Sequence, residues 1–219
     1  MRFRLLGPID VVDGDRAVGI SGRRQRALLV ALLLRPNEAV STDRLIGDLW
    51  GKRRPDTAAT ALHGLVSSLR KALEPARDPD AAPTVLVTRA PGYMLRVGEA
   101  DIDAVEFERL FESGRLALAA GDAGQAAELL RGALALWYGP ALGEVAELEF
   151  AGAEARRLEE LRLQALEQRT DADLALGRHA QLVPELEALV REQPLRERLR
   201  GQLMLALYRG GRQAHALEV

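Results

Sequence analysis

The sequence predicts a mainly α-helical chain with a small β component, divided into two modules of unlike character. Three observations carry this. Short alternating strands and Gly/Pro turns are confined to residues 1–98, where they flank helical runs. The charge divides at the same place: residues 1–98 hold 16 Lys+Arg against 10 Asp+Glu, or +6, and residues 99–219 hold 14 against 22, or −8, summing to the −2 of the whole chain. Finally, the acidic half repeats one pattern, an apolar helix end followed by a glycine turn and a new helix start.

The elements follow in order. Residues 1–20 alternate in short runs broken by Gly7-Pro8 and by "DGD" at 13–15, which reads as a hairpin or meander. After "SGRRQR", Leu28, Leu29, Leu32 and Leu33 take helical spacing, and "RPNEAV" stops the helix. The run "ALLVALLL" is far shorter than the ~20 residues of a membrane span, so it reads as a buried helix. Ser41 or Thr42 caps a short helix with Leu45, Ile46, Leu49 and Trp50 on its apolar face, and Gly51 ends it. In "DTAATALHGLVSSLRKALEP", Asp56 is the expected N-cap. Ala58, Ala59, Leu62, Val66, Leu69 and Leu73 form the packing stripe, and Pro75 closes the helix. Residues 76–83 read as a loop, and "TVLVTRAPGYMLRV" as two strands joined at "RAPG". Hairpin, three helices and hairpin, with a basic net charge, is the order of a winged helix-turn-helix over residues 1–98.

In the acidic half the glycine turns fall at Gly121, Gly177 and Gly211. The last two are 34 residues apart, the period of a tetratricopeptide helix pair, and the first two are 56 apart. The surplus is expected in a lengthened helix or in an inserted segment such as "YGPALGEVAELEF". Residues 99–219 are thus expected to form a tetratricopeptide-like α-helical repeat domain. An array of this kind normally ends on a closing helix, so further chain is expected beyond residue 219. Trp137, Tyr138 and Phe150 are expected to pack in a core, and the charges of "RRLEELRLQALEQR" at 156–169 to form a solvated helix face.

Composition excludes several function classes. The chain has no cysteine, and its histidines, His63, His179 and His215, lie too far apart for a local ligand motif. It has no P-loop, no dinucleotide-binding glycine motif, and no nucleophile beside a plausible base, so no cofactor, metal or enzymatic activity is expected. The N-terminus lacks the features of a signal peptide, and a cytoplasmic, nucleoid-associated protein without membrane contact is expected.

The motifs "RRQRALLVALLLRPNEAVSTDRLIGDLWG", "LVSSLRKALEP" and "VTRAPGYMLRV" resemble the OmpR-type DNA-binding domain in its AfsR/SARP variant, and "ADIDAVEFERL" resembles the opening of the bacterial transcriptional activation domain that follows it in that family. The resemblance implies a transcriptional regulator, an activator that binds direct repeats in double-stranded DNA side by side and contacts the RNA polymerase holoenzyme. Secondary-metabolite (antibiotic) gene clusters are the usual targets. It places Thr60, Gly64, Ser67, Ser68 and Arg70 at positions that face DNA. Several of these are commonly basic in the family, so readout here is expected to rest on Thr60, His63 and Ser67, which cannot make the bidentate guanine contact of arginine. Arg70 alternatively braces the domain through an internal carboxylate. Lys71 either contacts phosphate or complements the helix dipole. Thr88 and Arg89 stand at the wing, where the resemblance implies an arginine reaching the minor groove, and Tyr93 is expected to pack. Lys52, Arg53 and Arg54 are candidate phosphate contacts. So are Arg23 and Arg24, for which an ion pair with the acidic half is the alternative. A second reading treats the uncharged helix face as the mark of a protein-interaction module that has lost DNA binding. On the first reading, residues 1–98 alone are expected to retain specific but weaker DNA binding.

Overall fold

The computed structural model describes residues 1–78 and 80–219, so Pro79 of the loop expected at 76–83 lies outside the described residues. The chain divides into two compact units, Met1–Glu106 with Leu136–Glu159, and Phe107–Ala135 with Glu160–Val219.

The first unit opens with an antiparallel meander of β1 (Arg2–Arg4), β2 (Asp10–Asp13) and β3 (Arg16–Ala17), in that order. Gly14, with φ 58, makes the β2–β3 turn that the "DGD" motif signals. Helix α1 (Arg23–Leu33) is followed by β4 (Val40–Ser41), α2 (Thr42–Trp50), α3 (Ala58–Leu73) and the hairpin β5 (Leu86–Arg89) and β6 (Gly92–Leu95). The second sheet has the order β4-β6-β5, antiparallel throughout. This is a winged helix-turn-helix. Ser41 caps α2, its hydroxyl accepting the Arg44 N–H at 3.2 Å, and Gly51, at φ 52, ends that helix. The N-cap of α3 is Thr57 rather than the expected Asp56, and among the described residues no side chain caps that end. Proline at 55 holds the preceding chain in a turn, and its carbonyl accepts the Ala58 N–H at 3.0 Å.

Leu28, Leu29 and Leu32 of α1, Leu45 and Ile46 of α2, and Leu62 and Leu69 of α3 are fully buried and form the core of the helical trio. Trp50 completes it, 9% exposed. Trp50→Ala should therefore cost about 3–5 kcal/mol and unfold the first unit in mild denaturant. A denaturation midpoint equal to the parent's would place Trp50 outside the core.

Residues Ala27 to Leu33 are buried all round, which a helix packed on one side only cannot achieve. The cover comes from far along the chain. A 3-10 turn at Gly143–Glu147 packs on α1 in addition to α2 and α3. The segment before it adds backbone bonds to the meander: the Tyr138 N–H donates to the Leu6 carbonyl at 3.0 Å and the Leu142 N–H to the Leu5 carbonyl at 2.7 Å. Asp103, the first residue of α4 (Asp103–Ala119), accepts the Leu5 and Leu6 N–H groups at 2.7 and 3.2 Å. Burial raises the Asp103 carboxyl above its usual value, and these backbone donors oppose that shift. The "YGPALGEVAELEF" segment is thus part of the first compact unit. Of the three aromatics expected in a core, Trp137 is buried and Phe150 half-buried, but Tyr138 is not core: it lies 44% exposed, its ring over Gly7, which has no side chain to bury it.

The second unit is built from helical hairpins. Its elements are the rest of α4, then α5 (Ala123–Leu134), most of α6 (Glu149–Ala175), α7 (His179–Glu192), α8 (Glu197–Arg209) and α9 (Gln213–Ala216). Gly121, Gly177 and Gly211 end α4, α6 and α8 with φ of 83, 78 and 78. At each, the next residue's N–H reaches back five residues, Asp122 to Ala117, Arg178 to Asp173 and Arg212 to Leu207, at 3.0, 3.0 and 2.9 Å. This is the Schellman closure that a glycine in the left-handed region permits, used three times, and it makes the repeat tetratricopeptide-like. The surplus between the first two turns goes both ways foreseen, into the 27-residue α6 and the inserted segment.

One expectation for α6 is corrected. The stretch 156–169 is only partly a solvated face: Glu167 is 6% exposed and binds Arg196 at 2.9 Å, while Glu160 pairs with the same guanidinium. Further along, Asp173, 4% exposed, takes Arg131 and, at 2.7 Å, Arg178. Arginines from outside α6 thus cover the buried carboxylates Glu167 and Asp173, while their partly exposed guanidiniums remain at the surface. Among the described residues, no helix is long and apolar enough to cross a membrane.

Candidate nucleic-acid interface

Helix α3 buries Ala58, Leu62, Val66, Leu69 and Leu73, a stripe of helical period. The opposite stripe, Thr60, His63, Gly64, Ser67 and Lys71, is exposed with Ser68 beside it, and Ala59, expected to pack, is exposed too because it falls at the edge of the buried stripe. The side chains of Thr60, Ser67 and Lys71 make no hydrogen bond or ion pair among the described residues. The His63 ring stands edge-on to Tyr93, with centroids 6.5 Å apart. A Cβ on Gly64 would meet nothing within 4 Å, so no packing inside the protein requires glycine there. Five of the expected reading residues are therefore brought onto one unobstructed face.

Three others are held by intramolecular partners. Ser68 accepts from the Gln25 Nε2 at 3.4 Å. Gln25 is itself 3% exposed, and its Oε1 takes the Ser21 N–H at 2.8 Å. Arg70 is half-buried and does brace the domain, but not through a carboxylate: its Nε donates to the Leu86 carbonyl at 2.8 Å and its Nη2 to the Thr88 hydroxyl at 2.9 Å. Its guanidinium also lies over the Tyr93 ring, 5.7 Å from the centroid. Burial pulls Arg70 below the usual guanidinium value, an effect partly offset by Tyr93. Thr88 is thereby engaged on the α3 side of the hairpin. Arg89, the next residue, is exposed at the tip and pairs in register with Gly92.

The basic candidates separate into two groups. Lys52 and Arg53 lie exposed in a 3-10 turn, Gly51–Arg53, at the end of α2. Arg54 approaches Asp43 at 4.0 Å with both side chains largely in water, a pair of little energetic weight. Arg24 stacks over Trp50 at 5.7 Å and so joins this end of the unit. Arg23 does not: its Nη2 donates to Glu147 at 2.6 Å and to the Glu144 carbonyl at 3.3 Å, while Arg26 pairs with the Glu144 carboxylate. Of the two alternatives for the cations that open α1, the structure realises the ion pair for Arg23. Desolvation would raise the Glu144 carboxyl, but a hydrogen bond from its own backbone N–H, and then the Arg26 guanidinium, hold it below its ordinary value.

Two residues of this region were missed by sequence reasoning. Gln25 reads as one more polar residue in "RRQR", although it is in phase with the buried leucines, three and four residues before Leu28 and Leu29. Tyr93 was expected to pack, but not to serve as the shared platform for His63 and Arg70.

The chain is similar to known proteins along its whole length. Residues 20–95 match the family described as "Transcriptional regulatory protein, C terminal", and residues 102–219 match the "Bacterial transcriptional activator domain". The regulatory protein AfsR of Streptomyces coelicolor is 43% identical over all of this chain, which spans 21% of that relative's length. The regulatory protein DnrI of Streptomyces peucetius is 38% identical over all of this chain, which covers 81% of it. The structure of Mycobacterium tuberculosis EmbR in complex with a low-affinity phosphopeptide superimposes with a TM-score of 0.91 at 36% identity, covering 99% of this chain and 57% of EmbR.

Proposed function

Because this chain belongs to the AfsR/SARP family of transcriptional regulators, we propose that it is a sequence-specific activator whose α3 lies in the major groove of double-stranded DNA. The observation that carries this is the exposed α3 stripe, polar and almost free of intramolecular partners, beside a hairpin tipped by Arg89. Thr60, His63 and Ser67 read base edges, and the bare backbone at Gly64 permits close approach. A helix-interior glycine costs about 1 kcal/mol relative to alanine, and here nothing inside the protein requires it. Lys71, Lys52, Arg53, Arg54 and Arg24 hold phosphates, and Arg89 enters the minor groove, where narrow A/T-rich stretches attract a guanidinium. Ser68 and Thr88 serve at the margins of this surface, and Arg23 contributes only if it leaves Glu147.

DNA reading falls to residues 1–98 and activation to residues 99–219, of which 99–106 and 136–159 also complete the compact unit that holds the reading elements. Two copies bind side by side on direct repeats about one helical turn apart, on one DNA face, and recruit RNA polymerase. Secondary-metabolite gene clusters are the proposed targets. No enzymatic step is part of this role.

Arg89→Ala tests the wing contact. It should weaken operator binding about tenfold, within the ~1–3 kcal/mol range for one well-placed arginine, with an unchanged circular dichroism spectrum. Undiminished affinity in a folded variant would remove Arg89 from the interface.

A further inference from the structure

Resting on the DNA-binding reading, we propose that Arg70 is a positioning residue for the wing rather than a DNA contact. A hairpin of two four-residue strands, joined to the rest of its sheet only through the two-residue β4, is too small to hold its own angle. Something must tie it to the recognition helix. Arg70 projects from the last turns of α3 and grips both strands: β5 through the Leu86 carbonyl and the Thr88 hydroxyl, β6 through the face of Tyr93. Thr88 and Tyr93 are register partners, so they share one side of the hairpin, and the pair next to them is Arg89 with Gly92 at the tip. The grip therefore falls one residue pair below the side chain that reaches for the minor groove.

A second tie lies at the base of the same hairpin. Glu74, which ends α3, accepts the Thr84 N–H at 2.9 Å and the Thr84 hydroxyl at 2.6 Å, fixing where the chain turns back toward β5. Glu74 sets the base and Arg70 the height. To reach a phosphate, the Arg70 guanidinium would have to give up a backbone carbonyl, a hydroxyl and the Tyr93 face. An unbraced wing would instead be ordered only on binding, at an entropic cost charged against affinity.

The two roles separate in a double-mutant cycle on the full chain, using an operator duplex obtained by selection from random DNA. Arg70→Met keeps the aliphatic stem and removes the donors. Arg70→Met and Arg89→Ala should each weaken binding on the order of tenfold, and the double variant should lose no more than about the larger single effect, because the first change already disables the second residue. Thr88→Val, which removes one arm of the grip, should show a smaller loss with the same non-additivity toward Arg89→Ala, and it serves in place of Arg70→Met should that variant lose its near-UV circular dichroism. A double variant whose loss is the product of the two single losses would overturn the proposal, since independent contacts add. A parent protein with no sequence preference and a flat salt dependence would sink the DNA reading and this proposal together, whereas a binding parent with additive variants sinks this proposal alone.

Discussion

Replacing Gly92 by alanine should destabilise the first unit by more than about 4 kcal/mol, the range reserved for disrupted cores and strained backbones, and abolish specific DNA binding. The reason is a close approach of two main chains. A Cβ on Gly92 would fall 2.0 Å from the Val40 carbonyl oxygen, 2.8 Å from the Thr42 amide nitrogen and 2.9 Å from the Ser41 carbonyl carbon. These are backbone atoms and cannot rotate aside. Gly92 pairs with Ser41 on β4 and with Arg89 on β5, so the clash strikes the strand that joins the wing to the helix-turn-helix. Ser41 is also the N-cap of α2, so displacing it disturbs the start of the helix that carries Trp50. Urea denaturation of Gly92→Ala beside the parent chain checks this, and a midpoint near the parent's would mean that β4 and β6 can separate at little cost.

A fragment of residues 1–98 should fail to fold cooperatively, against the expectation from sequence that it retains weaker DNA binding. All four backbone groups of Leu5 and Leu6 have partners later in the chain: Asp103 takes both N–H groups, and Leu142 and Tyr138 donate to the two carbonyls. Both leucines are at most 1% exposed. Cutting at 98 returns those groups to water and uncovers the α1 side that the 3-10 turn Gly143–Glu147 packs against. The two leucine side chains alone represent about 3–6 kcal/mol of burial. A small domain has in total about 5–15 kcal/mol of stability to lose. Trp50 is the sole tryptophan of the fragment, so its fluorescence reports folding directly. A sharp unfolding transition at the denaturant concentration that unfolds the first unit of the full chain would show residues 1–98 to be autonomous.

What could be read from the sequence was what local chemistry writes. The three glycine turns of the helical hairpins, the cap at Ser41, the stop at Gly51 and, apart from Ala59, the apolar stripe of α3 depend on neighbours a few residues away, and each stands where its signal placed it. The exposed stripe from Thr60 to Lys71 follows from that periodicity, so most of the candidate reading face was legible too. What could not be read depends on distant partners. Strand β4 has two residues and exists because β6 offers a glycine to lie against. Asp103 shows no sequence mark of its role in holding Leu5 and Leu6. Nothing near Glu167 announces that Arg196 will come to cover it. The run "ALLVALLL" did carry a hint: a helix with no polar face needs cover on every side, and the segment ending in Gly143–Glu147 supplies the side that α2 and α3 leave open.

The α3 face from Thr60 to Lys71 and the Arg89 wing are expected to read DNA together. Selection of bound sequences from random duplex DNA with the full chain, followed by a salt titration on the winning sequence, tests it most directly. Enrichment of a direct repeat is expected, with affinity falling steeply and linearly in log-log form as salt rises, because phosphate contacts release counterions. Weak binding without any enriched sequence would remove sequence-specific DNA reading from α3 and favour the reading of a protein-interaction module.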